Sequence, residues 1–237
     1  MRRIRRPVMV EHIERYLDAA VLKPDTTRSE AEAAIKECIA YKTKTVCVRP
    51  CDIDLAVSLC KGTDTEVSCV LAFPHGDTVS EIKAAEARDY LSRGVNEIDM
   101  VANIGFIRSA MWDEVLADIK AVVNEAKPSG TCVKVIFETC FLTVEEISRT
   151  VELAVEAGAD YVKTSTGFGT DGATEEAVSA MVSAANGRIK VKASGGIRDR
   201  ASAERFIALG ASRLGNGYTS NKAIIEGGAP SGSGEKY

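Results

Sequence analysis

Apolar residues gather along this chain in short runs that recur about every 20 to 40 residues, with mixed segments of helical spacing between them. The runs are AAVLK (19–23), TVCVR (45–49), VSCVLAF (67–73), EIDMVAN (97–103), VKVIFET (133–139), YVKTST (161–166), IKVKASG (189–195) and SRLGN (212–216). Several are almost unbroken apolar stretches, the mark of a parallel strand covered on both faces. Between them, Thr27 with Glu30, Thr78 with Glu81 and Thr143 with Glu146 match the S/T-x-x-E capping box. There a hydroxyl and a carboxylate reciprocally satisfy free N–H groups at a helix start. Behind Thr143, the residues Ile147, Val151, Ala154 and Val155 share one helical face, and Gly158 follows as its C-terminal cap. The same helix–Gly–strand ending recurs at Gly94 and Gly210. Eight strands alternating with helices, with no linker, predict a single α/β domain of the (β/α)8 TIM-barrel class. The competing arrangement is a doubly wound open sheet, but no GxGxxG follows the first strand.

The barrel is expected over 17–226, after a basic arm and helix start at 1–16 and before a Gly/Ser-rich flexible tail at 227–237. The arm, MRRIRRP at its start, lacks the apolar stretch of a secretory signal and reads as a solvated extension or the head of an organelle-targeting peptide. With 45% hydrophobic and 27% charged residues, the 237-residue chain is neither disordered nor fibrous. Its net charge of −4 argues against a nucleic-acid partner, so any anionic ligand needs a local site. No apolar run is long enough for a membrane span. Seven cysteines without a CxxC pair, mostly inside apolar runs, fit reduced thiols in a cytoplasmic protein. Two distant histidines, His12 and His75, argue against a His-rich metal centre, and no cofactor is expected.

In a barrel the chemistry sits at the C-terminal ends of the strands. Four charged residues interrupt the apolar strands: Asp99 in EIDMV, Lys134 in VKVIFET, Lys163 in YVKTST and Lys192 in IKVKAS. Burial of such groups is costly unless they pair, and pairing perturbs their titration. A strand lysine beside a second cation in a dry pocket tends towards the neutral amine that attacks a carbonyl and forms a Schiff base, with a nearby carboxylate to move protons. The alternative reading makes them structural ion pairs that plug the barrel; it suits a single buried lysine better than several charges on the strands of one barrel. Two glycine stretches, Ser194-Gly195-Gly196 and Gly215-Asn216-Gly217, follow the seventh and eighth strands, where barrels commonly bind phosphate through bare N–H groups. Thr166 and Gly167 stand to add donors after the sixth.

The segments YVKTSTGF (161–168), VKASGGIR (191–198), EIDMVANIG (97–105) and VKVIFETCFLT (133–143) resemble the signature segments of the deoxyribose-phosphate aldolase family of class I aldolases, over about Leu17 to Tyr218. The resemblance implies that Lys163 forms the Schiff base, that Lys192 is the neighbouring cation favouring its amine form, and that Asp99 belongs to a proton relay. It also implies that Lys134, Asp18 and Cys47 line the pocket, and that Tyr237, ending a mobile tail, assists proton transfer. The implied reaction is metal-free, reversible cleavage of 2-deoxy-D-ribose 5-phosphate to acetaldehyde and D-glyceraldehyde 3-phosphate, in deoxyribonucleotide catabolism. Family members are commonly dimers or tetramers, which implies a homo-oligomer.

The sequence departs from the family around the substrate. Ala20 replaces a Thr in the D-H-T-L-L-K-P segment, Gly217 and Tyr218 replace a phosphate-binding Ser pair, Arg49 replaces Asn, and His75 replaces an aliphatic residue. These changes spare the Schiff-base residues and predict weakened or reorganised phosphate binding. They keep open a related lyase acting on another or unphosphorylated aldehyde, and beyond it a non-catalytic ligand-binding barrel. Arg49 reads either as an anion ligand or as a solvated loop residue, and His75 either as a relay member or as a rim residue.

Overall fold

The computed structural model describes residues 10–228. The basic start of the arm and the terminal Tyr237 lie outside the described residues. Eight strands, β1 (Leu17–Val21), β2 (Thr45–Val48), β3 (Glu66–Leu71), β4 (Glu97–Val101), β5 (Cys132–Ile136), β6 (Tyr161–Lys163), β7 (Lys190–Ser194) and β8 (Arg213–Gly217), pair in chain order. All are parallel, and β8 closes onto β1 from Leu17↔Leu214 to Ala20↔Gly217. With no sheet edge left, the open doubly wound arrangement is excluded and the TIM barrel stands. Around it lie α1 (Arg28–Ala40), α2 (Ile53–Cys60), α3 (Ser80–Ser92), α4 (Ile104–Arg108), α5 (Trp112–Ala126), α6 (Val144–Ala157), α7 (Glu175–Ala185), α8 (Arg200–Leu209) and α9 (Asn221–Glu226).

Strand alternation sorts the side chains into two populations. On β4, Ile98 and Met100 join the apolar layer shared with the helices, while Glu97 and Asp99 turn into the barrel. On β1 the same split puts Leu17, Ala19 and Val21 outward and Asp18 inward. The annulus between sheet and helices is therefore the hydrophobic core. Each fully buried aliphatic side chain there contributes roughly 1.5–3 kcal/mol.

Two of the three expected capping boxes form. Thr27 N–H donates to Glu30 Oε2 at 2.7 Å and Thr143 N–H to Glu146 Oε2 at 2.7 Å, each with the reciprocal bond in place. Gly158 and Gly210 close α6 and α8 in the left-handed conformation, with φ 82° and 112°. The Thr78–Glu81 box does not form: α3 starts one residue later, with Val79 as its cap and no side-chain acceptor. Tertiary contacts fix that start instead, because Ser80 Oγ donates to the buried Asp118 of α5 at 3.2 Å. Except at β8, the apolar runs overshoot the observed strands by one to three residues. Apolarity reports burial, and the chain stays buried past the strand ends at Ala102, Phe137 and Thr164 while its backbone already turns into loops. Among the described residues no helix is long and apolar enough to cross a membrane.

Candidate active site

The barrel interior holds an ionic lattice built from six strands. Asp99 is its hub. Its Oδ1 accepts from Lys134 Nζ at 2.6 Å and from Ser68 Oγ at 3.0 Å. Its Oδ2 accepts from both Lys163 Nζ and Lys192 Nζ, each at 2.8 Å. Asp18 on β1 takes Lys192 at 2.5 Å and Lys134 at 3.2 Å on one oxygen, and Arg213 at 2.7 Å with Thr45 Oγ1 at 2.8 Å on the other. Below them Glu97 pairs with Lys134 at 2.5 Å and with Arg213 at 2.9 Å. Tyr161 stacks under the Arg213 guanidinium, 5.2 Å from it. All these charged side chains are buried.

Three carboxylates thus face four cations, an excess of one positive charge when all are ionised. Burial pushes the Asp99 carboxyl up, but Lys134, Lys163 and Lys192 together outweigh it and hold it well below the ordinary carboxylate range. Asp18 is held low in the same way, against its own burial, by Lys134, Lys192 and Arg213. Burial pulls Lys134 down, and Asp18, Asp99 and Glu97 lift it well above the ordinary lysine value. Lys163 differs in its surroundings: among the described residues it has one ion pair, with Asp99, and acts on the Glu138 carboxylate only from beyond contact. It is therefore the amine that can leave the lattice by breaking a single ion pair.

Above the lattice the mouth divides in two. Over β6–β8 lies a cavity of about 250 Å³ lined by Gly167, Gly169, Gly172, Gly195, Gly196 and Gly217, with Lys23, Arg198, Thr219 and Ser220. Gly195, at φ 92°, is forced: a Cβ there would lie 2.9 Å from Gly172 Cα, where two loops cross backbone on backbone. Over β1–β3 a larger cavity of about 460 Å³ is walled by Leu22, Val70, Phe73, Tyr90 and Phe168. Cys47 stands beside it with Ala20, Leu22 and Val70, its thiol pushed up by burial.

The structure brings Asp18, Asp99, Lys134, Lys163 and Lys192 together, and lines the glycine cavity with Gly167, Gly195, Gly196 and Gly217. Three expected residues sit elsewhere. Gly215 lies beside the lattice, where a Cβ would run into Ser194 Oγ and come 3.2 Å from Lys192 Cε, so its bareness leaves room for both side chains. Asn216 falls on the outer face of β8 and donates to Asn221 Oδ1 at 2.8 Å. Thr166 gives both its N–H and its hydroxyl to the buried Glu138 carboxylate. Arg49 is neither anion ligand nor solvated: it clamps the loop after β1 through the carbonyls of Lys23 and Thr26, both at 3.0 Å, and pairs with Asp52. His75 is exposed. Glu97 and Arg213 in the lattice, and Lys23, Arg198 and Thr219 in the cavity wall, were not among the residues expected from the sequence. Glu97 shares the Asp99 face of β4, but its place at the first position of the strand masks that, and Arg213 has only glycines on its own face of β8.

An amine held by one carboxylate at the mouth of a closed barrel is fitted to carbonyl chemistry, and comparison with known proteins gives that chemistry its class: the protein is an aldolase, a lyase built on a TIM barrel. The sequence pattern of the DeoC/LacD family aldolases matches residues 15–215. A deoxyribose-phosphate aldolase of Exiguobacterium sp. strain AT1b is 45% identical over 217 residues, 91% of this chain and 96% of that one. One from Natranaerobius thermophilus is 44% identical over 206 residues, 87% of this chain and 93% of that one. Among solved structures, the aldolase QR15 superposes with a TM-score of 0.86 at 40% identity, covering 92% of this chain and 96% of its own. A tetrameric deoxyribose phosphate aldolase from Aeropyrum pernix gives 0.83 at 29% identity, covering 90% and 89%. The chain belongs to the DeoC/LacD family of aldolases.

Proposed function

We propose that this chain cleaves 2-deoxy-D-ribose 5-phosphate reversibly to acetaldehyde and D-glyceraldehyde 3-phosphate through a Schiff base on Lys163. The observation that carries the reading is the shared Asp99 oxygen, 2.8 Å from the nitrogens of both Lys163 and Lys192. The neutral Lys163 amine adds to the C1 carbonyl of the open-chain sugar, and loss of water leaves an iminium ion. A base removes the C3 hydroxyl proton, the C2–C3 bond breaks, and its electrons flow into the iminium to form an enamine as C3 becomes the aldehyde of the phosphorylated product. Protonation at C2 and hydrolysis then release acetaldehyde and restore the amine.

A carboxylate held as low as Asp99 is a poor resting base. Its task is geometric: a proton passes between the Lys163 and Lys192 nitrogens across one oxygen, and the iminium keeps a counter-ion throughout. Asp18 and Lys134 hold that arrangement from below. The glycine cavity, with Lys23 and Arg198 outnumbering Asp171 in its wall, suits the phosphate through backbone N–H groups and a net positive charge. Cys47 borders the reacting end as a neutral thiol.

The reading is tested by acetaldehyde release from deoxyribose 5-phosphate and from deoxyribose. The departures at Ala20 and Gly217-Tyr218 point towards weak phosphate binding, but Thr219, Ser220, Lys23 and Arg198 in the cavity wall favour the opposite, so a marked preference for the phosphate ester in kcat/KM is expected. Equal use of both would favour an unphosphorylated substrate, for which the larger apolar cavity is the supporting feature. We further propose one catalytic domain over 17–226, a cytoplasmic setting in keeping with seven cysteines free of disulfides, and assembly with copies of itself, as in the tetrameric relative. Light scattering on the purified chain checks the last point.

A further inference from the structure

The segment that follows β6 runs between the two mouth cavities. Gly167 and Gly169 line the glycine-rich one, while Phe168 between them lines the apolar one. Phe168 meets Phe73 edge-on, with ring centroids 5.2 Å apart, so the segment is the wall that divides the mouth. The group that fixes this wall comes from a different strand. Glu138, just beyond β5, is buried and holds a left-handed backbone at φ 56°, ψ 64°, which a residue with a side chain rarely adopts. One oxygen of its carboxylate accepts the Thr166 N–H at 3.2 Å, and the other accepts the Thr166 hydroxyl. Thr166 Oγ1 accepts in turn from the Phe168 N–H at 3.0 Å. Gly169 lies against the same carboxylate, where a Cβ would be 2.9 Å from Glu138 Cδ. Neighbouring backbone bonds hold the base of this arrangement: Phe137 N–H donates to Lys163 O at 3.0 Å and Thr139 N–H to Thr164 O at 2.9 Å.

We propose that Glu138 is a positioning residue for the phosphate end of the substrate: it shapes the 166–169 wall and thereby sets the preference for a phosphorylated over an unphosphorylated sugar, without touching the reacting atoms. The inference rests on the function proposed above. A wall displaced by an ångström or so moves Gly167 and Gly169 off the phosphate while leaving Lys163 paired with Asp99, and displacements of that size are large on the scale of productive binding.

Two variants test it. Glu138→Gln keeps the shape and one acceptor, but its amide nitrogen cannot accept the Thr166 hydroxyl. Glu138→Ala removes the post entirely. The expected result is a KM for deoxyribose 5-phosphate raised about threefold in Glu138→Gln and about tenfold or more in Glu138→Ala. Meanwhile the rate at which acetaldehyde and borohydride modify Lys163 stays within about twofold of the wild type. An unchanged KM in both variants overturns the proposal. So does a trapping rate that falls in step with kcat/KM, because a general loosening of the barrel would do that. Should Glu138→Ala fail to fold, Glu138→Gln decides alone: raised KM at an unshifted melting temperature supports the proposal, and an unshifted KM overturns it. Wild-type protein that is not trapped at Lys163 would instead sink the function on which the inference rests, and that is seen before either variant is made.

Discussion

Two regions of this molecule bury a lysine against an aspartate, and they behave in opposite ways. Outside the barrel, Lys83 of α3 meets Asp118 of α5 at 2.7 Å, both fully buried. Here burial dominates on each side: it lowers the Lys83 amine below its ordinary value and raises the Asp118 carboxyl above its own. Inside the barrel, burial is just as complete, yet Asp99 is held low and Lys134 high. The difference lies in the number of opposite charges within reach. One partner does not repay desolvation, whereas several do. The helix pair serves cohesion: Lys83 Nζ donates to Val101 O at 2.9 Å, and Asp118 accepts from Ser80 at 3.2 Å and from the Asn103 N–H at 3.1 Å. The lattice instead keeps a surplus cation ready beside an open mouth, which chemistry can use.

The comparison breaks first on activity. Lys163→Ala is expected to lower kcat by at least about 10³-fold, while a variant at Lys83 that folds keeps kcat within about twofold. Turnover assays on both check this, and comparable losses would erase the distinction. Next comes stability. Asp118→Ala strands the buried Lys83 ammonium and is expected to cost about 3–5 kcal/mol in urea unfolding. Replacing both partners, as Lys83→Met with Asp118→Leu, is expected to stay within about 1–2 kcal/mol of the wild type, on either side. A much larger loss would mean that the helix pair is as well compensated as the lattice.

The smallest effect is in pH dependence. Asp18 and Asp99 have folded values below the unfolded one, so their stabilisation is complete above about pH 4 and is lost as pH falls below that towards the folded values. Asp118, raised in the folded state, acts oppositely: its penalty is relieved as pH falls through its folded value towards about pH 4. The Lys83→Met, Asp118→Leu protein lacks that relief and should lose stability somewhat more steeply than the wild type on acidification. Urea titrations between about pH 3 and 7 measure it; parallel curves would contradict the assignment.

The sequence carries much of this, unevenly. The barrel is legible because strand apolarity, two working capping boxes and glycine helix ends all agree. Asp99, Lys134, Lys163 and Lys192 are legible because a charge inside an apolar strand requires a partner. Glu97 and Arg213 are not, since a charge at the first position of a strand looks like an exposed boundary, and only the barrel's register turns both inward. Asn216 misleads for the converse reason: it sits between two inward glycines, and alternation sends it to the helices. Thr166 and Glu138 lie 28 residues apart, and nothing local announces that the carboxylate will occupy both Thr166 donors. The departure at Gly217-Tyr218 looks like a loss of hydroxyls, yet Thr219 and Ser220 line the same cavity.

Lys163 is the amine expected to leave the lattice and bond a carbonyl carbon. Borohydride reduction in the presence of acetaldehyde, followed by peptide mass mapping, tests it directly. A single reduced two-carbon adduct is expected on the peptide carrying Lys163, absent from Lys163→Ala and weakened in Lys192→Ala. An adduct on Lys192 or Lys134 instead, or none on any lysine, would contradict it.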